Sequence, residues 1–423
     1  MQGAFDEAGE RGLTEFLPGD EGELRDIVAA AAGERQPLEV IGAGSKRALG
    51  RPLQLPHSLV LSRFSGIVAY EPSELVLTAK AATPLALLEA ALGENNQMLA
   101  FEPPAWGRLL DGADSGGAGG GQTVGGILAC NLSGPRRFKA GAARDHFLGF
   151  RAVSGRGEVF KAGGKVVKNV TGYDLCKLMA GSYGTLAVLS EVTVKVLPRP
   201  EKTRTVLIFG PDAERAVAAM TAALAAPHEV SGAAYLPAGL ARRSAVSYVA
   251  AGGTSVVALR LEGPAPSVLA RASALRGELA EFGAGEELHG RNSAVFWREI
   301  ADAAPFAIDG KRALWRVSLP PALAPALLRQ VTAGSDVEYL LDWGGGLAWL
   351  AVAGAADGGA GAIRAALAGR GHATLIRAPA ALRLAVAVFE PPAPGLAALT
   401  ARVKAGFDPY GVLNPGRMYP PQG

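Results

Sequence analysis

The chain of 423 residues is poor in the side chains that anchor many chemistries, with only two cysteines and five histidines. Cys130 and Cys176 stand in neither a CxxC pair nor a metal-ligand spacing, so they allow at most one disulfide and cannot by themselves ligate an iron-sulfur cluster. So few thiols fit a reducing cytoplasm. His57, His146, His228, His289 and His372 are scattered singly, and no metal site is expected from them. An excess of one charge is also missing: a formal net charge of +3 on so long a chain argues against nucleic acid and against an anionic membrane surface as partners. Met1 to Glu10 carries acidic residues and no apolar run of the signal-peptide kind, so export is not expected. The longest apolar stretch, Tyr339 to Ala356, is broken by Asp342 and by Gly344 to Gly346. It reads as two strands around a turn, and no transmembrane segment is expected.

What the chain does have is glycine and alanine, arranged around short apolar runs. Asp20 and Glu23 form a helix-start signature, and Leu24, Ile27, Val28 and Ala31 give one apolar face, which predicts a helix over 21–34. A strand from Pro37 to Ile41 follows. Further strands are expected at 58–61, 66–71, 74–80 and 97–101, with a helix opened by Thr83-Pro84. Residues 111–122 contain nothing able to build a core and read as a flexible insertion. A β-branched run, Thr185 to Leu197, ends at Pro198-Arg199-Pro200, where the main domain boundary is placed. Beyond it, strand 205–209, helix 213–226, strands 230–236 and 255–261 and helix 265–282 form a β-α-β-β-α series. Segments 313–318, 322–332, 337–342, 347–353 and 360–369 repeat that order, as a duplicated αβ layer would. A helix at 395–406 and a turn-rich tail close the chain. The expected division is an N-terminal extension (1–20), a first α+β domain (21–198), a second αβ domain (199–394) and a C-terminal helix and tail (395–423).

Two glycine-bearing loops carry the chemistry. Gly42-Ala43-Gly44-Ser45-Lys46 follows the first strand, where glycine lets backbone N–H groups converge on an anion while Ser45 adds a hydroxyl and Lys46 a cation. Arg47 stands where a Rossmann fingerprint needs its third glycine, so that fold is not indicated, and neither is a Walker loop. Alone, such a turn also suits an ordinary strand-to-strand loop. The second loop, Thr123-Val124-Gly125-Gly126, precedes an apolar helical start and suits either close approach to a phosphate or ribose or simple tight packing. Two such loops together suit an extended diphosphate cofactor. The basic cluster Ser133 to Lys139, with Arg144-Asp145 after it, reads either as a solvated face or as an anion or carboxylate contact.

Seven segments carry a resemblance: Gly42 to Lys46, Thr123 to Gly126, Leu132 to Arg137, Gly141 to Asp145, Val167 to Asp174, Gly181 to Leu186 and Leu413 to Tyr419. Together they resemble the PCMH-type, or vanillyl-alcohol-oxidase, family of FAD-binding domains, and within it the E subunits of bacterial glycolate oxidases. The resemblance implies an α+β fold with a two-subdomain FAD-binding domain followed by an αβ cap carrying the duplicated pattern. By the same resemblance Gly42, Ala43, Gly44, Ser45 and Lys46 would hold the FAD pyrophosphate. Thr123, Gly125, Gly126, Arg144 and Asp145 would line the cofactor channel. Gly184, Thr185 and Val188 would lie near the adenine, and Asn414 near the flavin ring. Ala43 replaces the usual middle glycine, a change that costs little if its φ is negative. No histidine stands in the first loop, so non-covalent FAD is expected.

The resemblance further implies oxidation of a small 2-hydroxy acid, glycolate or D-lactate, to the 2-oxo acid. Electrons would pass to a cysteine-rich iron-sulfur subunit and on to quinone, beside a second FAD-binding glycolate oxidase subunit. The location implied is cytoplasmic, peripheral at the inner membrane through that complex. The histidine cluster that holds a metal in related D-2-hydroxy-acid dehydrogenases has no counterpart here. His146 and Arg298 are the candidate catalytic residues, each with a plain structural alternative. Two other readings stay open: a flavin-binding structural subunit whose partner does the chemistry, and a stand-alone D-2-hydroxy-acid dehydrogenase.

Overall fold

The computed structural model describes residues 14–111, 121–164 and 172–420. Most of the expected insertion, and the Val167 to Thr171 part of the resemblance, lie outside them.

Strands β1 (Thr14–Phe16), β2 (Leu38–Ile41) and β3 (His57–Val60) form a parallel sheet in the order β1-β3-β2. β1 thus places residues 14–16, expected to belong to an extension, inside the sheet. Helix Glu21–Glu34 crosses this sheet. Its start is set by Asp20, which accepts from the Glu23 N–H at 2.9 Å, and its end by Arg35 in the left-handed region. Leu24, Val28 and Ala31 are fully buried against Leu38 and Leu59. The 3.6-residue period read in the sequence is the face that packs.

Next come β4 (Ile67–Glu71) and β5 (Val76–Lys80), the two-residue β6 (Gln97–Met98), and then β7 (Phe147–Ser154), β8 (Val159–Gly163) and β9 (Ala187–Lys195). The order β4-β5-β9-β7-β8 is antiparallel throughout. The strand expected over 97–101 stops at Met98, where its partner β10 (Leu197–Pro198) is itself only two residues long.

The rest of the chain builds one eight-stranded antiparallel sheet from β11 (Lys202–Phe209), β12 (Gly232–Leu236), β13 (Val256–Gly263), β14 (Ala284–His289), β15 (Ala313–Ser318), β16 (Asp336–Asp342), β17 (Leu347–Ala353) and β18 (His372–Arg377). Its order, β14-β11-β13-β12-β16-β17-β15-β18, is symmetric about the β12-β16 junction. Each half is a β-α-β-β-α-β unit. The sequence reading found five elements of each and missed the edge strands β14 and β18. Helix Ala265–Glu278 also ends earlier than expected, with a 3-10 turn at Ala280–Phe282.

Alternation along the strands decides which face meets what. Val206, Ile208, Val257, Leu259, Trp315 and Val317 pack under the four repeat helices. Their neighbours Leu207, Ala258 and Leu314 face the other way, into a core shared with Phe101, Leu132 and Phe147 of the N-terminal half. Arg260 and Arg316 stand on that second face by the same alternation.

A charged network ties the halves together. Arg260 donates to Glu102 at 2.7 Å, and Arg136 bridges Glu102 at 3.1 Å and Glu262 at 2.7 Å. Arg136 is therefore no solvated member of a basic face. Burial pushes the Glu262 carboxyl up, but Arg260 and Arg136 outweigh it and hold it at about 2. No helix among the described residues is long and apolar enough to cross a membrane.

Candidate FAD site

The C-terminal tail closes the site. The N–H of Leu38 donates to Val412 O at 2.7 Å and that of Asn414 to Leu38 O at 3.0 Å, so the tail lies along the free edge of β2. Asn414 sits there with φ 43°, a conformation that asparagine tolerates better than most residues. Its side chain accepts from the Val40 N–H at 2.8 Å and donates to Tyr183 O at 2.9 Å. One side chain thus joins the first strand, the Gly184 turn and the tail.

The second loop is held by segment 81–85. Gly125 N–H donates to Ala81 O at 2.8 Å, Val124 to Thr83 O at 3.1 Å, and Leu85 to Gln122 O at 2.9 Å. A Cβ at residue 125 would meet Ala81 O at 2.7 Å, so only glycine allows this approach. Gly42 is in a similar position against Thr123 Oγ1, at 2.9 Å. Thr123 in turn accepts from the Gly126 N–H at 3.2 Å. The two glycine loops therefore touch each other.

Between them runs an open cleft of about 800 Å³, lined by Gly42 to Arg47, Thr123, Gly125, Gly126, Tyr183, Gly184, Asn414 and Arg417, over an apolar floor that includes Ala129, Cys130 and Leu189. Ala43 keeps a negative φ, so its methyl fits, while Gly44 takes φ 79°. Among the described residues, the backbone N–H groups of Ala43, Gly44, Ser45 and Lys46 donate to no protein acceptor. Lys46 Nζ reaches Ser45 Oγ at 3.3 Å and Gln122 Oε1 at 3.2 Å and has no carboxylate partner among the described residues. Burial pushes its ammonium down to about 8. Free backbone donors beside an uncompensated cation make a cradle for an anion, and its length suits a diphosphate. Arg417 is locked by Glu39 at 2.9 Å and Arg47 O at 2.8 Å, which fixes the loop's far side.

The fold is shared with solved enzymes. A 4-ethylphenol oxidase from Gulosibacter chungangensis superposes with a TM-score of 0.71 at 16% identity, covering 98% of this chain and 91% of that one. A p-cresol methylhydroxylase gives 0.65 at 14% identity, covering 96% and 88%. Residues 14–163 match the FAD-binding domain family. Along nearly its whole length the chain is 36% identical to glycolate oxidase subunit GlcE of Escherichia coli, over 94% of this chain and 96% of that protein.

The chain belongs to the GlcE family.

Its cofactor is FAD, and the family is one of FAD-dependent oxidoreductases. Shorter matches join it to glycolate oxidase subunit GlcD of Bacillus subtilis, 42% identical over 20% of this chain and 18% of that one. A D-lactate dehydrogenase of Archaeoglobus fulgidus matches at 39% over 22% and 21%.

Of the residues expected at the site, Gly42, Ala43, Gly44, Ser45, Lys46, Thr123, Gly125, Gly126, Gly184 and Asn414 line the cleft. Arg144, Asp145, Thr185 and Val188 do not. Asp145 accepts from the Ala142 N–H at 2.9 Å, Thr185 Oγ1 donates to Ser182 O at 2.7 Å, and Val188 is buried in the core beneath the parallel sheet. Gly184 stands beside Asn414, where an added Cβ would lie 2.8 Å from Nδ2.

Neither catalytic candidate lines this cleft, and both have structural contacts. His146 is buried, with Nε2 2.8 Å from Ala140 O, Nδ1 3.4 Å from Lys195 O and its ring against Phe101. Arg298 bonds Asp302 at 3.0 Å and Pro103 O at 3.0 Å, which fastens helix Gly290–Ala301 to the N-terminal half. Sequence reasoning missed Tyr183, Cys130 and Arg417. The first and last lay within segments already singled out, and Cys130 had no local signal.

Proposed function

We propose that this chain is an FAD-binding subunit of a multi-subunit glycolate oxidase, acting on glycolate or D-lactate to give the 2-oxo acid. Its electrons pass through a cysteine-rich iron-sulfur subunit to quinone, with a GlcD-type subunit as second FAD-binding partner. It works in the cytoplasm, at the inner membrane through that complex. The observation that carries this reading is the cradle at Ala43 to Lys46 in a chain collinear with GlcE. FAD, when bound, supplies the acceptor for the hydride equivalent of a hydroxy acid.

The chain's own residues do the holding. The free N–H groups and Lys46 neutralise the diphosphate, Gly42 and Gly125 keep the wall close, and Asn414 with Arg417 fixes the tail across one end. FAD is held without a covalent bond on this reading, and no histidine is among the described residues that line the cleft. The division into FAD-binding and cap domains near residue 198 belongs to the same reading.

A second reading is favoured by one observation: among the described residues neither a histidine nor a carboxylate lines the cleft to take the substrate proton. On that reading the chain holds flavin while its partner does the substrate chemistry. The test is anaerobic addition of glycolate to the flavin-loaded chain, alone and assembled with both partner subunits. Bleaching of this chain's flavin band is expected. Bleaching only of the partner's flavin selects the second reading, and no bleaching in the assembled complex refutes glycolate as substrate.

A further inference from the structure

The most buried arginines of this molecule find oxygen partners. Arg136 and Arg260 have Glu102 and Glu262, Arg417 has Glu39, and Arg377 donates to Leu109 O, Phe306 O and Asp309 O at 2.6–3.0 Å. Arg137 and Arg316 break the pattern. Among the described residues neither guanidinium makes a hydrogen bond or an ion pair, and each lies instead against the Trp343 ring, 4.3 and 4.8 Å from its centroid.

The two come from opposite halves of the fold. Arg137 opens the short helix after Ser133-Gly134-Pro135, and Arg316 stands mid-way along β15 on the sheet face turned toward the FAD-binding half. Trp343, whose Nε1 donates to Gly134 O at 3.1 Å, holds both in place. Thr374 is the cross-strand partner of Arg316 and adds a hydroxyl on the same face. Toward the cleft stands Tyr183, an electrostatic neighbour of Arg316, whose hydroxyl also makes no hydrogen bond among the described residues. Tyr183 adopts φ 55°, an uncommon conformation for an aromatic residue, and its ring packs edge-on against Phe389 at 4.9 Å.

Two half-buried cations against one ring repel each other. Burial first, and the Arg137 charge second, push the Arg316 guanidinium down to about 10. The nearby carboxyls do not compensate: Asp342, a weaker influence on Arg316 than Arg137 is, is buried and itself pushed up to about 7. Asp145 near Arg137 makes its contacts with the Ala142 N–H and Arg144. A small anion between the arginines would relieve the repulsion, and a planar carboxylate suits guanidinium donors best.

We propose that Arg137 and Arg316 form the subsite for the carboxylate of the hydroxy-acid substrate, with Tyr183 between that subsite and the cofactor cleft. The proposal rests on the reading of the chain as a hydroxy-acid oxidoreductase subunit. It makes the junction of the two halves, at the Trp343 turn, the place where substrate charge is recognised.

The test uses oxalate, a two-carbon carboxylate with no hydroxyl to oxidise, in equilibrium dialysis against the FAD-loaded chain. Arg137→Gln and Arg316→Gln are each expected to raise the oxalate dissociation constant about tenfold or more with FAD content unchanged. Arg316→Lys should restore part of the loss, and the exposed Arg370→Gln should bind as the unaltered chain does. If Arg316→Gln fails to fold, Arg137→Gln and Arg316→Lys carry the comparison. The proposal is overturned if the FAD-loaded chain takes up no oxalate, if both glutamine variants bind it normally, or if they lose FAD while oxalate binding persists. Arginine-sensitive oxalate uptake by a chain whose flavin glycolate never reduces, even in the complex, would leave this subsite standing and sink the proposed substrate instead.

Discussion

Replacing Lys46 by methionine separates what the cradle does for the cofactor from what it costs the fold. The ammonium sits beside Ser45 and Gln122 with no carboxylate, and its descent from 10.5 to about 8 measures a penalty on the charged form. At about 1.4 kcal/mol per pKa unit that penalty has a ceiling of about 3 kcal/mol, which the half-buried position reduces to about 1–2 kcal/mol. Lys46→Met should therefore stabilise the cofactor-free chain, raising Tm by about 1–4 °C at pH 7. The same change should weaken FAD binding by about 10- to 100-fold, the loss of one charge-assisted contact to a phosphate. The pH dependence supplies a check of sign. Because the folded pKa lies below the unfolded one, the unfolded chain binds more protons between about pH 8 and 10.5, and stability contributed by this site rises with pH across that window. Methionine should abolish the rise. Circular dichroism melts of the FAD-free protein at pH 7 and 9.5, with fluorescence titration of FAD, measure both arms. A lower Tm together with unaltered FAD affinity would refute the reasoning.

Three further outcomes are expected. Gly125→Ala drives a Cβ to within 2.7 Å of Ala81 O, so thermal unfolding should show a loss of about 1–3 kcal/mol and FAD titration a weaker site. Arg136→Met leaves Glu102 and Glu262 short of a partner in a buried network and should cost about 3–5 kcal/mol by urea unfolding. In the unaltered chain the Glu262 contribution is present above its unfolded pKa and fades as pH falls toward 2, so the variant should show a flatter acid limb. Asp342, with its folded pKa raised to about 7, binds more protons folded than unfolded between about pH 4 and 7, and its contribution falls as pH rises through that range. Asp342→Asn should be more stable than the parent at pH 8 and lack that fall.

The element order was legible because burial in this fold follows simple periods. Leu24, Val28 and Ala31 mark one helix face, and the alternation of Val206, Leu207 and Ile208 marks a sheet covered on both sides. The edge strands β14 and β18 were not legible. Ala284 to His289 is mostly polar and half solvated, so it carries no apolar alternation, yet its backbone pairs with β11 along its whole length. The glycine loops were readable because close approach and left-handed backbone leave a residue-type signature. Arg316 had none, and although Arg137 and Tyr183 lay in segments the sequence singles out, their lack of partners is visible only in the assembled fold. For His146 and Arg298 the converse holds: chemical versatility in sequence says nothing of the carbonyl partners that the fold gives them.

The central claim, that the Gly42–Lys46 cradle holds FAD, is tested most directly by FAD titration of the purified chain and of Gly44→Asp, which sets a carboxylate among the free N–H groups. Arg370→Asp, at an exposed position in the second half, serves as control. Saturable FAD binding by the parent and the control, with at least about tenfold weaker binding by Gly44→Asp, is the predicted result. Equal affinity in all three, or no FAD binding by the parent, would contradict it.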